Sequence, residues 1–171
     1  MPEEITRAVV LIHEWWGLNQ NIKNMAHDLA EEGFVALAVD LYDGKVATDS
    51  SDARKYATEV RNNMDDALSH MKSAGEFLRG NEFVLSDSVG SMGWCFGGGM
   101  SMQLALNEEM AATVIYYGAV ETDKERLGSI SWPVFGVFGE EDTAIPVDSV
   151  REFDVALDEV FELNPVEIPG F

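Results

Sequence analysis

The chain is poor in cysteine and in positive charge. One cysteine, Cys95, in 171 residues excludes a disulfide framework. A chain of this length buries roughly 70% of the surface its unfolded form exposes, so it needs none. Eleven Lys plus Arg stand against 31 Asp plus Glu, a net charge of −20. Residues 1–85 carry −7 (15 acidic, 8 basic) and residues 86–171 carry −13 (16 acidic, 3 basic), so neither half offers the basic patch that a phosphate backbone needs. The expectation is no nucleic-acid partner. Long apolar runs are missing too: the longest strictly apolar one covers residues 34–39, far below the roughly 18 residues that suggest a membrane span. The opening Met1-Pro2-Glu3-Glu4 lacks the basic and apolar segments of a secretory leader. The reading is a protein of the cytoplasm with no membrane partner.

What is present is an ordinary globular composition, 46% hydrophobic with 15 Gly and 5 Pro, at an abnormal charge. Self-repulsion at −20 opposes compaction. Salt relieves it, because the screening length shrinks to about 3 Å at 1 M. The acid excess therefore reads as that of a salt-adapted, halophilic protein. No repeat or low-complexity tract interrupts the chain, and residues 1–171 are read as one domain.

Residues 7–13 form a β-branched run of the kind found in fully covered parallel strands. Ile22, Met25, Ala26, Leu29 and Ala30 repeat at helical spacing, with Asn21 as N-cap and Gly33 as stop. Residues 34–39 predict a second strand and 40–50 a polar loop. From residue 51 to about 79 one apolar face persists, as one long helix or two broken ones. Further strands are predicted at 88–93, 112–117, 133–138 and 166–168, with helices at 97–106 and 150–161. Strands alternating with helices imply a mostly parallel sheet with helices on both faces, an α/β fold.

Gly93-Trp94-Cys95-Phe96-Gly97-Gly98-Gly99 stands where a strand ends and a helix begins. A nucleophile in so sharp a turn needs small neighbours two residues away on each side, and Gly93 and Gly97 supply them. The turn lifts the side chain clear of the sheet, the Phe96 amide faces a developing oxyanion, and the helix terminus favours a thiolate. Gly139-Glu140-Glu141-Asp142 follows a strand at the same sheet edge, where a carboxylate can orient an imidazole. His13-Glu14-Trp15-Trp16-Gly17 ends the first strand there as well, so that a backbone amide can give the second oxyanion donor and Glu14 can approach the thiol. Trp15 and Trp16 serve equally as an aromatic cap on the core, with His13 held by a backbone carbonyl. His27 and His70 fall off the apolar stripes and read as surface residues. Nothing in these motifs asks for a metal or a cofactor.

Together with Asp40-Leu41-Tyr42, Tyr116-Tyr117-Gly118 and Pro146, these motifs resemble the dienelactone hydrolase family of the α/β-hydrolase superfamily, in order from about residue 8 onward. Cysteine rather than serine in the elbow is the most specific mark. The resemblance implies a Cys-Asp-His triad that opens a small-molecule ester or lactone through a thioester, as a carboxymethylenebutenolidase does. Cys95 matches the nucleophile, Asp142 the acid, Glu14 the glutamate that contacts the resting thiol, and the amides of Trp15 and Phe96 the oxyanion donors. Trp16, Tyr42, Lys45 and Tyr117 are the candidate substrate contacts. Lys45 stands near where the family carries a dienelactone-binding arginine, which argues against dienelactone itself. The family's histidine follows a strand and a Pro-Gly-type turn. Here Asn164-Pro165-Val166-Glu167-Ile168-Pro169-Gly170 leads towards that turn and the sequence stops at Phe171. The chain therefore reads as a C-terminally incomplete α/β hydrolase with one sheet face bare, since none of His13, His27 or His70 replaces the histidine by position. The competing reading is a catalytically silent hydrolase-like fold that binds a partner through that face.

Overall fold

The computed structural model describes residues 5–163. Five parallel strands form one sheet in the order β2-β1-β3-β4-β5, with β1 Thr6–Ile12, β2 Val35–Val39, β3 Val84–Trp94, β4 Thr113–Tyr116 and β5 Val134–Val137. The helices between and after them are α1 Gln20–Glu31, α2 Ser50–Asn62, α3 Met64–Arg79, α4 Phe96–Ala105, α5 Lys124–Leu127 and α6 Val147–Leu163. Alternation along β1 explains the layering: Val9 and Leu11 pack with Ile22, Met25 and Leu29 around α1, whereas Ala8, Val10 and Ile12 pack with Met71 and Leu78 of α3. Both faces of the central strands are covered, as the α/β expectation requires.

Register decides which loops meet. Ile12 pairs with Gly93, Trp94 with Tyr116, and Tyr116 with Val137, so the carboxyl ends of β1, β3, β4 and β5 finish side by side. The segments beginning at His13, Cys95, Tyr117 and Phe138 leave one edge of the sheet together. On β5, Phe135 is 59% and Val137 38% exposed.

Several boundaries differ from the sequence reading. The N-cap of α1 is Asn19, not Asn21: Asn19 Oδ1 accepts from the amides of Asn21 and Ile22 at 3.1 and 3.3 Å. Gly17, at φ +92° with the carbonyl of Lys45 2.6 Å from where a Cβ would stand, turns the chain early enough for the helix to begin at Gln20. The long apolar face over residues 51–79 is two helices. Asn63 at φ −125°, ψ 50° breaks them while its side-chain amide donates to the Glu59 carbonyl at 2.8 Å, a local bond that competes with helix propagation. β3 starts at Val84 rather than at residue 88, because Val84 pairs with Thr6 of β1, and the polar Ser86-Asp87-Ser88 fall in an irregularity before the register resumes at Val89 opposite Ala8. The single turn of α5 buries only Leu127 and so leaves no periodicity to read. The predicted strand at 166–168 lies outside the described residues. No helix among the described residues is long and apolar enough to cross a membrane.

Candidate active site

Cys95 occupies the junction of β3 and α4 at φ +55°, ψ −114°, a left-handed conformation that a non-glycine residue holds only where its surroundings dictate it. The glycines predicted on either side are required by backbone contact. A Cβ on Gly93 would stand 2.0 Å from the Gly97 carbonyl oxygen, and one on Gly97 would stand 2.2 Å from that of Ile12. Gly98 meets the Tyr116 carbonyl oxygen at 2.7 Å in the same sense. Helix α4 is thereby pressed onto the ends of β1 and β4.

The thiol is half-buried, and burial pushes its pKa up. The Phe96 amide and the Arg61 guanidinium pull it down, whereas the carboxylates of Glu14 and Asp142 push it up. The balance lies on the side of the protonated thiol, which corrects the expectation of a thiolate at the helix terminus: desolvation and two nearby anions outweigh the terminus. The charges of Glu14 and Asp142 thus reach Cys95.

Glu14 accepts a hydrogen bond from the Tyr117 hydroxyl at 3.3 Å. Tyr117 itself sits at φ +41°, its amide donating to the Val137 carbonyl at 2.7 Å, and burial together with Glu14 raises its pKa. Asp142 closes a turn in which Oδ1 accepts from the amides of Ala144 and Ile145 at 2.8 and 3.2 Å. One oxygen orients the loop, and among the described residues Oδ2 accepts from no donor.

The aromatic residues divide. Trp15 and Trp16 are half-buried and pack edge to face, with centroids 5.2 Å apart. Their carbonyls brace the loop after β2: Trp15 O accepts from the Tyr42 hydroxyl at 3.2 Å and Trp16 O from the Ala47 amide at 2.9 Å. Tyr42 is 3% exposed, edge-on to His13 at 4.6 Å, and its burial raises its pKa. It forms the floor beneath the site. Lys45 holds its ammonium 5.5 Å above the Tyr56 ring, on a cavity of about 470 Å³ that Leu41, Tyr42 and Glu59 also line.

His13 is fully buried, with Nδ1 2.6 Å from the Glu14 carbonyl oxygen and Nε2 3.1 Å from the Leu41 amide, as the backbone-held reading of this residue has it. His27 and His70 are exposed on α1 and α3. The turn towards which residues 164–170 lead lies outside the described residues.

Sequence reasoning missed Arg61. Its guanidinium lies 5.5 Å over the Phe96 ring, and its charge reaches both Cys95 and Tyr42. It stands in the last turn of α2, on the polar side of a periodic segment. Only the break at Asn63, which folds α2 against α3, and the reach of the side chain over the first residue of α4 bring its charge to the sulfur. The assembled chemistry is a half-buried thiol at a helix N-terminus with two carboxylates and one arginine in electrostatic reach, a set suited to covalent attack on an activated carbonyl.

A family model described as "Dienelactone hydrolase family" matches residues 1–163. "Protein usf" of Aquifex pyrophilus is 36% identical over 149 residues, 84% of this chain and 64% of the relative. A putative carboxymethylenebutenolidase of Aquifex aeolicus is 34% identical, over 87% of this chain and 67% of its own. The chain thus spans about two thirds of the length of these curated relatives. Among solved structures, a dienelactone hydrolase-like promiscuous phosphotriesterase from metagenomic libraries superposes with a TM-score of 0.78 at 24% identity, covering 94% of this chain and 66% of that one. That likeness concerns the fold.

Proposed function

The chain belongs to the dienelactone hydrolase family, and from that premise we propose that it hydrolyses small carboxylic esters or lactones with Cys95 as nucleophile. The observation that carries this reading is the elbow: a thiol at φ +55° between two glycines that admit no Cβ, with the Phe96 amide and the Glu14 and Asp142 carboxylates within electrostatic reach. Attack of the sulfur on the carbonyl carbon moves the C=O electron pair onto oxygen, where the amides of Trp15 and Phe96 hold it. Collapse breaks the ester C–O bond, leaves a thioester on Cys95, and releases the alcohol with the proton that the thiol gave up. Water then attacks the thioester, the acid departs and the sulfur regains a proton.

Each side chain has a place in this scheme. Glu14, tied to Tyr117, keeps the resting sulfur protonated by its charge and helps remove that proton when substrate arrives. Asp142 Oδ2 orients the imidazole that relays protons in this family. Trp16, Tyr117 and Lys45 contact the substrate over the floor made by Tyr42. Arg61 lends positive charge to the sulfur and to an acyl group beside it. The Aquifex aeolicus relative bears the name putative carboxymethylenebutenolidase, which favours a lactone among these esters. Family membership does not favour the silent binding fold. The charge of −20 supports a salt-rich cytoplasm as its working environment.

The test is p-nitrophenyl acetate added to the intact protein. A burst of nitrophenolate is expected, with one acetyl group appearing on Cys95 by mass spectrometry, and Cys95→Ala should abolish both. Full turnover by Cys95→Ala would overturn the mechanism.

A further inference from the structure

His13 is buried, titratable and unused by the reaction just described, yet both of its ring nitrogens are committed. The Leu41 amide can only donate, so Nε2, 3.1 Å away, accepts and carries no proton. The proton therefore sits on Nδ1 and is donated to the Glu14 carbonyl oxygen at 2.6 Å. Geometry alone selects this neutral tautomer. An imidazolium would set an Nε2–H against the Leu41 N–H inside a fully buried site.

The Glu14 carbonyl and the Trp15 amide are the two ends of one peptide unit. That unit is planar, held so by the partial double bond between carbon and nitrogen, so fixing the oxygen fixes the direction of the N–H. The same oxygen also accepts from the Gly17 amide at 3.1 Å. Two donors thus hold it, and both draw electron density towards oxygen, which strengthens the N–H as a donor at the other end. Among the described residues the Trp15 N–H donates to no protein acceptor. The ring that holds this peptide is itself clamped: Tyr42 meets it edge-on at 4.6 Å and Phe96 lies nearly parallel at 5.9 Å. Phe96 supplies the other amide of the pair. Gly97, one residue on, packs directly under the His13 carbonyl, 2.5 Å from where its Cβ would be.

We propose that His13 is the positioning residue of the oxyanion site, its Nδ1–H aiming and polarising the Glu14–Trp15 peptide while Nε2 anchors that peptide to the loop after β2. This rests on the reading of Cys95 as an acylated nucleophile. His13 touches no reacting atom and acts only through the Trp15 amide.

The experiment compares two reactions of the same sulfur. Acylation by p-nitrophenyl acetate develops an oxyanion, whereas alkylation by iodoacetamide does not. Asn places a donor where Nδ1 was, and Gln reaches only to the level of Nε2. His13→Gln is expected to slow acylation, read as the rate of the burst, by about tenfold to a hundredfold, somewhat less than outright loss of an oxyanion donor, with the substrate concentration that half-saturates the burst rate unchanged. His13→Asn should retain most of the rate, and iodoacetamide should alkylate both variants as fast as the parent. Equal losses in the two variants, or alkylation that slows in parallel, would overturn the proposal. Should either variant fail to fold, nitrogen-15 shifts of the unsubstituted protein decide: the Nδ1–H tautomer is required, and an Nε2–H tautomer or an imidazolium at neutral pH overturns it. Failure of the nucleophile reading shows separately, as turnover that survives alkylation of Cys95.

Discussion

The Tyr117 hydroxyl donates to Glu14 Oε1 across 3.3 Å, joining the loop after β4 to the loop after β1 directly beside Cys95. Glu14 and Arg61 act on that sulfur with opposite signs, the first raising and the second lowering its pKa. Glu14→Gln is therefore expected to move the pH profile of iodoacetamide alkylation to lower pH and to speed alkylation at neutral pH, while slowing ester turnover. Arg61→Ala should move the same profile to higher pH. Shifts of equal sign in the two variants would contradict the electrostatic account.

Gly97→Ala and Gly99→Ala should part company although both lie in α4. A Cβ at Gly97 meets the backbone oxygens of Ile12 and His13 at 2.2 and 2.5 Å, whereas at Gly99 the nearest atom, the Ala119 Cβ, is at 3.4 Å. Urea unfolding should show a loss of about 1–3 kcal/mol for Gly97→Ala. Gly99→Ala should be neutral or gain up to about 1 kcal/mol from helix propensity. Burst amplitude should fall with the first and persist with the second.

Burial pushes the pKa of His13 below its ordinary 6.5, against smaller opposing influences from the Glu14 carbonyl and Asp40. As pH falls, the unfolded chain takes up a proton at this position before the folded one does. The associated stability is complete above pH 6.5 and is lost as pH falls towards the folded value. Urea midpoints measured between about pH 7 and about pH 5 should drop more for the parent than for His13→Asn. The same comparison cancels the relief of acidic self-repulsion, which both proteins share. Identical drops would mean that His13 is not the group responsible.

Thermal stability should rise between low and molar KCl, since screening falls to about 3 Å at 1 M and the chain carries −20. A midpoint that does not move with salt would remove the salt-adaptation reading, leaving an ordinary acidic protein.

Much of the site was legible because its motifs are local. Gly93, Cys95 and Gly97 lie within five residues, and the clash distances show why no larger residue fits at either glycine. Strand ends at His13, Cys95, Tyr117 and the 139–142 loop followed from the alternation of strands and helices, because parallel strands place their carboxyl ends at one edge. What was misread was the balance at the sulfur: a helix terminus is visible in a sequence, but desolvation is not. Arg61 was missed for a related reason, since a solvent-side residue of a helix acquires its neighbours only when that helix turns at Asn63 and packs.

The order of residues alone determined the alternating α/β architecture, the elbow with its obligatory glycines and the candidacy of Cys95, Asp142 and Glu14, since each depends on spacing within one segment. Tertiary packing decided that Cys95 rests as a thiol, that Arg61 shares its site, that Tyr42 is floor and that His13 grips the Glu14–Trp15 peptide. Those outcomes depend on distances between segments as far apart in the chain as Glu14 and Tyr117. Burial and Coulomb forces act through space, and only the folded chain sets that space.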